Sequence, residues 1–134
     1  MYESYAGMKS AFNLIITNLE KGEEYCVLMV GESLYEKRVI SFFQTYHKKR
    51  IEKGIRIRLL SNSTYRGVVL KSHKYEGMKI RFTKQKLPIG LFIFRDHVMT
   101  VMWGEKPAAF VIKSWRNYGY YKEFFEQLWG NSKI

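Results

Sequence analysis

The sequence predicts one α/β domain, a mixed β-sheet flanked by helices, and three patterns carry that prediction. Tyr25–Val30 is a continuous apolar run of the kind buried on both faces of a sheet. Ile55–Leu60 follows it one helix later, and strand, helix and strand in quick succession require a right-handed parallel crossover. Farther along, Ile89–Phe94 and Val98–Trp103 flank the polar triplet Arg95-Asp96-His97, the pattern of a tight hairpin between largely buried strands. The expected element order is α-β-α-β-α-β-β-β-β-α, all within a single domain spanning residues 1–134.

Met8, Ala11, Phe12, Ile15 and Leu19 recur at three- and four-residue steps and define one face of a first helix, with Gly22 as its expected stop. After the first strand a helix is expected from Leu34 to Lys53, starting near Glu32 or Ser33. Its inner side is expected to carry Tyr35, Val39, Phe42, Phe43, Tyr46 and Ile51. Lys48, Lys49, Arg50 and Lys53 load its last turns, where they suit the negative end of the helix dipole, and Gly54 ends it. A solvated helix end accounts for this cluster; a nucleic-acid contact is the other reading.

Ser61, Asn62 and Ser63 stand at the C-terminal end of the second strand, where open α/β sheets bind ligands. They also stand where a short helix over Tyr65–Ser72 needs a cap, so both roles are open to them. Met78–Phe82 alternates strictly and forms a strand with Lys79 and Arg81 on a wet face. Beyond Gly104-Glu-Lys-Pro107, Ala108–Ile112 is a further strand. Ser114 is expected to cap a last helix with Trp115, Tyr118, Tyr121, Phe124, Phe125 and Leu128 turned inward and Lys122 paired with Glu126.

Hydrophobic residues make up 46% of the 134, which excludes a disordered tail and allows a real core. No apolar run approaches the ~18 residues that span a bilayer. The start, Met1-Tyr-Glu-Ser-Tyr5, lacks signal-peptide character, so a cytoplasmic protein without a membrane partner is expected. Cys26 is the sole cysteine and, inside an apolar run, is expected as a small core residue. Lys and Arg number 23 against 12 acidic residues, a formal charge of +11 that favours polyanionic partners in a salt-dependent way. Were nucleic acid the partner, Lys48, Lys49, Arg50, Arg56, Arg58, Lys79 and Arg81 are the expected phosphate contacts.

Familiar catalytic patterns are missing from the sequence. His47, His73 and His97 share no zinc-site spacing with one another or with Cys26, and no metal or other cofactor is implied. Gly31 is a lone glycine, and no nucleophile elbow is present. Asp96 is the only aspartate; in a strand its neighbour His97 would point to the opposite face, which argues against an Asp–His couple.

The hairpin nevertheless carries a resemblance. A strand–helix–strand unit followed by short strands, a hairpin and a terminal helix is similar to one half of the phospholipase D fold, whose signature H-x-K-x-x-x-x-D lies on such a hairpin. Anchored on Asp96, that spacing puts Ile89 at the place of the family's nucleophilic histidine and Leu91 at the place of the lysine that holds phosphoryl oxygens. Isoleucine cannot attack phosphorus and leucine offers no charge, so the resemblance implies a non-catalytic copy rather than an enzyme.

A second resemblance covers nearly the whole chain. Tyr5-Ala-Gly-Met-Lys9, Lys21-Gly-Glu-Glu-Tyr-Cys-Val27, Arg50-Ile-Glu-Lys-Gly-Ile-Arg-Ile-Arg58, Glu105-Lys-Pro-Ala-Ala-Phe-Val-Ile112 and Tyr121-x-x-Phe-Phe-x-x-x-Trp129 are similar to the C-terminal effector domain of archaeal TrmB-type transcriptional regulators. That family implies a regulatory domain that senses a small-molecule effector and helps form a homodimer. The winged-helix DNA-binding domain that precedes it there has no counterpart expected before Tyr5. If the copies pair as phospholipase D halves do, Ile89 and Leu91 form part of an apolar dimer contact and Asp96 is left as a turn residue. The alternative is a basic nucleic-acid-binding protein that contacts phosphates through its Lys/Arg surface.

Overall fold

The computed structural model describes residues 1–29, 31–88 and 90–134. Its strands are β1 (Tyr2–Glu3), β2 (Glu24–Met29), β3 (Arg56–Asn62), β4 (Met78–Thr83), β5 (Leu91–Phe94), β6 (His97–Met102) and β7 (Ala108–Lys113). They form one sheet in the order β1-β7-β6-β5-β2-β3-β4. The helices are α1 (Ser4–Asn18), α2 (Lys37–Lys53), α3 (Arg66–Ser72) and α4 (Trp115–Gly130). The crossover read from the sequence is present: β2 and β3 pair in parallel, with Val27 opposite Leu59, and α2 connects them. β3 and β4 are also parallel, joined through α3, whereas β5, β6 and β7 form an antiparallel meander. β5 then pairs antiparallel with β2, which makes the sheet mixed.

Two cores result. On one face α1, α2 and α3 cover residues such as Val27, Leu59 and Phe92, with Phe12, Phe43 and Val69 supplied by the helices. On the other face α4 alone covers Cys26, Leu28, Leu60, Leu91, Ile93 and Val98 with Phe125 and Leu128. Cys26 is indeed a core residue, and burial pushes its thiol up to about 11.

Several local expectations change. The first helix ends at Asn18 rather than running to Gly22, because Leu19 is already extended. Gly22, at φ 88°, makes the following turn, and its N–H donates to the Gly54 carbonyl (2.9 Å). The second helix starts late: Glu32–Tyr35 is a 3₁₀ turn, Glu36 is extended, and Tyr35 lies outside at 59% exposure. Gly54 ends α2 as expected, in the left-handed conformation, with its N–H on the carbonyls of Arg50 and Ile51.

Ser114 caps α4 by accepting from Asn117 N (3.1 Å). Trp115, at 66% exposure, and Phe124 do not face inward, since the helix buries only the stripe through Tyr118, Tyr121, Phe125 and Leu128. The short β1, absent from the predicted order, pairs with β7.

Candidate functional site

The β5–β6 hairpin is where the resemblance places the degenerate motif positions Ile89, Leu91 and Asp96. Arg95 and Asp96 form its two-residue turn, with Arg95 at φ 46°, a conformation L-residues seldom adopt. Arg95 Nη2 donates to Glu23 Oε1 (2.7 Å), and the Asp96 carbonyl accepts from Ser114 N (2.8 Å). Asp96 Oδ1 lies 2.9 Å from His97 Nδ1, although at an angle outside hydrogen-bond alignment. The sequence argument against an Asp–His couple therefore fails on its premise: Asp96 is in the turn, not in a strand, and its carboxylate folds back over His97. Leu91 is buried under α4, which corrects its expected place in a dimer contact: its own chain already covers it. Ile89 lies outside the described residues. Among those residues, no group of three or more His, Cys, Asp or Glu side chains converges as a metal site would.

The loop after β3 divides differently from either single reading. Ser61 is fully buried, with its hydroxyl on the Asn62 carbonyl (3.2 Å), so it offers nothing to a ligand. Asn62 Oδ1 accepts from Thr64 N (2.9 Å) and its Nδ2 donates to the Gln85 carbonyl (3.0 Å). Both ends of that amide are thus used in capping the turn and tying it to the β4–β5 connection. Ser63 is half-buried in the same 3₁₀ turn.

The seven expected phosphate contacts do not form one surface. Arg50 is the largest departure: it is wholly buried, its Nε on His47 Nδ1 (2.9 Å), Nη1 on the Ile55 carbonyl and Nη2 on the Glu76 carbonyl (both 2.7 Å). It completes the inward stripe Val39, Phe43, Tyr46, Arg50 of α2, in the place where Ile51 was expected. Arg58 is held by Glu24 (2.8 Å) and, through two nitrogens, by Glu126 (2.6 and 2.9 Å), over the rings of Phe125 and Trp129. Arg58, with help from Lys122, lowers Glu126 to about 2. Arg81 donates to the Trp129 carbonyl (3.0 Å) and lies on the Trp129 ring, so the strand face expected to be wet is covered by the end of α4 at Arg81 and stays open at Lys79. Lys48, Lys49, Arg56 and Lys79 remain exposed, on three different elements.

What the structure does build is a groove of about 590 Å³ between α1 and α2. Both helices precede parallel strands through tight turns, so they lie side by side on one face of the sheet, and the groove is the seam between them. Its floor is aromatic: Tyr5, Phe12, Phe42 and Tyr46. Phe12 fixes this floor through edge-on contacts at centroid distances of 5.2 Å to Phe42 and Tyr46. Tyr46 is fixed from below by a hydrogen bond between its hydroxyl and that of Tyr25 (2.8 Å). The guanidinium of Arg38 stacks over Tyr5 (3.9 Å) at one end. Lys53 Nζ bonds the Ile16 carbonyl toward the other.

The rim carries Lys9, Lys37, Arg38 and Lys49, and the walls carry Asn13, Ser41 and Thr45; among the described residues no carboxylate lines the groove. Among the described residues none of the four cations makes an ion pair. Sequence reasoning missed this site. The available signal was the i, i+4 row Lys37, Ser41, Thr45, Lys49 on one flank of α2, with Lys9 and Asn13 spaced alike on α1.

No protein-family model matches the chain, and no curated protein does. Among solved structures it is similar to the archaeal chromatin protein TrmBL2, whose structure shows a novel mode of DNA binding; the TM-score is 0.61 at 13% identity over 94% of this chain. The two share a fold. At that identity the likeness to TrmBL2 speaks to architecture alone, and this chain spans 49% of the TrmBL2 chain. No helix among the described residues is long and apolar enough to cross a membrane.

Proposed function

We propose that this chain is a non-catalytic regulatory domain, related to TrmB-type regulators, that works by binding a small-molecule effector in the α1–α2 groove. The groove carries this reading. It is concave, apolar at its floor and polar at a few points, and it falls within the roughly 300–1,000 Å³ of small-molecule sites. The TrmBL2-like architecture supports a regulatory context. Absence of a phosphodiesterase activity follows from the side chains: Leu91 contributes no charge, and Ile89 no nucleophile, at the places where the resembling enzymes keep both. The direct test is turnover of bis(p-nitrophenyl) phosphate at high protein concentration. No hydrolysis above buffer is expected; hydrolysis lost in Asp96→Asn would contradict the proposal.

A homodimer belongs to the same proposal, but its contact has to be elsewhere than Leu91. Met102, Phe110 and Ile112 are exposed at 42%, 44% and 56% on one face of the paired strands β6 and β7, beside the edge of α4. An apolar row of this kind on a soluble domain marks an interaction surface. Binding of nucleic acid is the second reading, favoured by the +11 charge and by the exposed Lys48, Lys49, Arg56 and Lys79. It requires an affinity that falls steeply between 50 and 200 mM salt, on the order of 10²-fold for about four phosphate contacts.

A further inference from the structure

We infer that the α1–α2 groove takes a phosphorylated planar ring, a ligand of the mononucleotide class; this rests on the groove being the effector site proposed above. Three features of the groove select that class. The floor offers ring surface at the half-buried Phe42, over the buried Phe12 and Tyr46 and beside Tyr5 with its Arg38 cover, and a heterocycle stacks on such a surface irrespective of its substituents. Four cations ring the floor with no carboxylate among the lining residues and no ion pair of their own. An anion entering the groove meets positive charge from both helices, and a dianion is held more strongly than a monoanion.

Lysine ammoniums and the Arg38 guanidinium are the usual protein partners of phosphate oxygens, the former as point charges and the latter as a planar fork. Asn13, Ser41 and Thr45 add donors and acceptors between the ring platform and the charged rim, where the edge of a base or a sugar hydroxyl would lie. A neutral sugar alone would leave the cations unanswered, and an acyl chain would leave the hydroxyls and the amide unanswered. A duplex is too wide to reach a floor on which Phe12 and Tyr46 are 1% and 6% exposed.

The test is an amide-resolved NMR titration of the whole chain with AMP, adenosine, inorganic phosphate and benzoate at matched ionic strength. AMP is expected to saturate shifts confined to α1 and α2 around the groove, with adenosine and phosphate each at least about tenfold weaker. Combining Lys37→Ala with Lys49→Ala is expected to weaken AMP by about tenfold or more, and Ser41→Trp to abolish its binding by filling the groove. All three positions are exposed, and circular dichroism checks that the variants fold.

No saturable shift with AMP, shifts centred elsewhere, or indifference to the variants would overturn the assignment. Benzoate or adenosine binding as tightly as AMP would overturn the phosphorylated-ring class while keeping the groove as a ligand site. Groove shifts that follow protein concentration instead of ligand would place a second copy there and overturn it as well. Phosphodiester turnover by the same protein would remove the non-catalytic reading without changing any of these titration outcomes.

Discussion

Arg50 shows how a single side chain decides the account. It sits at the phase of Val39, Phe43 and Tyr46, so the helix sends it inward although its neighbours Lys48 and Lys49 point to solvent. The helical phase was legible in the sequence; residue type misled, because a charge in a basic cluster is normally exposed. The guanidinium is tolerated because His47 and two backbone carbonyls accept from it. Arg50→Ala would leave those acceptors buried without a donor and is expected to cost about 3 kcal/mol or more in urea unfolding.

His47 accepts from Arg50 through a neutral ring, and burial followed by the Arg50 charge lowers it to about 3. A histidine with a depressed folded pKa binds fewer protons than its unfolded counterpart between the two values. Its contribution is therefore complete above its ordinary 6.5 and is lost as pH falls toward 3, by at most about 1.4 kcal/mol per unit. His73, also lowered by burial, adds in the same direction. Chemical denaturation at pH 7, 5.5 and 4 is expected to show falling stability, with a shallower slope in His47→Gln.

Among the elements, α1, α2 and their seam matter most. The parallel crossover was legible because an apolar run, a helical period, Gly54 and another apolar run leave few alternatives. The start of α2 was not, since Tyr35 is in helical phase with Val39 while the chain actually breaks at an extended Glu36. The groove was illegible for a different reason. Each flank looks like an ordinary solvated helix side, and only the sheet brings the two together.

Phe12 is the residue on which that seam depends, packing edge-on against Phe42, Phe43, Tyr46 and Phe92. Phe12→Ala is expected to cost about 3–5 kcal/mol and to release the groove floor, seen as loss of slow amide exchange in both helices. At the far end of the chain, Ser114→Ala removes the α4 cap and is expected to cost about 1 kcal/mol.

Taken as a whole, the molecule has its groove and its exposed apolar row on different faces. The groove occupies the α1–α2 side, α4 seals the side where the hairpin residue Leu91 lies, and the uncovered apolar row is on β6 and β7. If that row is the dimer contact, Ile112→Glu is expected to convert a dimer to a monomer by light scattering and to remove the concentration dependence of the unfolding midpoint. Composition foretold the charge but not its division. Arg50, Arg58 and Arg81 serve the interior and the α4 contact, whereas Lys9, Lys37, Arg38 and Lys49 face an open groove.

The most direct test of the central claim, that this domain binds and does not catalyse, is a crystal structure grown with AMP. Ordered nucleotide between α1 and α2, its ring on Phe42 and its phosphate against Lys37 or Arg38, is the predicted result. Nucleotide bound instead at the hairpin beside Asp96 and His97, or cleaved there, would contradict it.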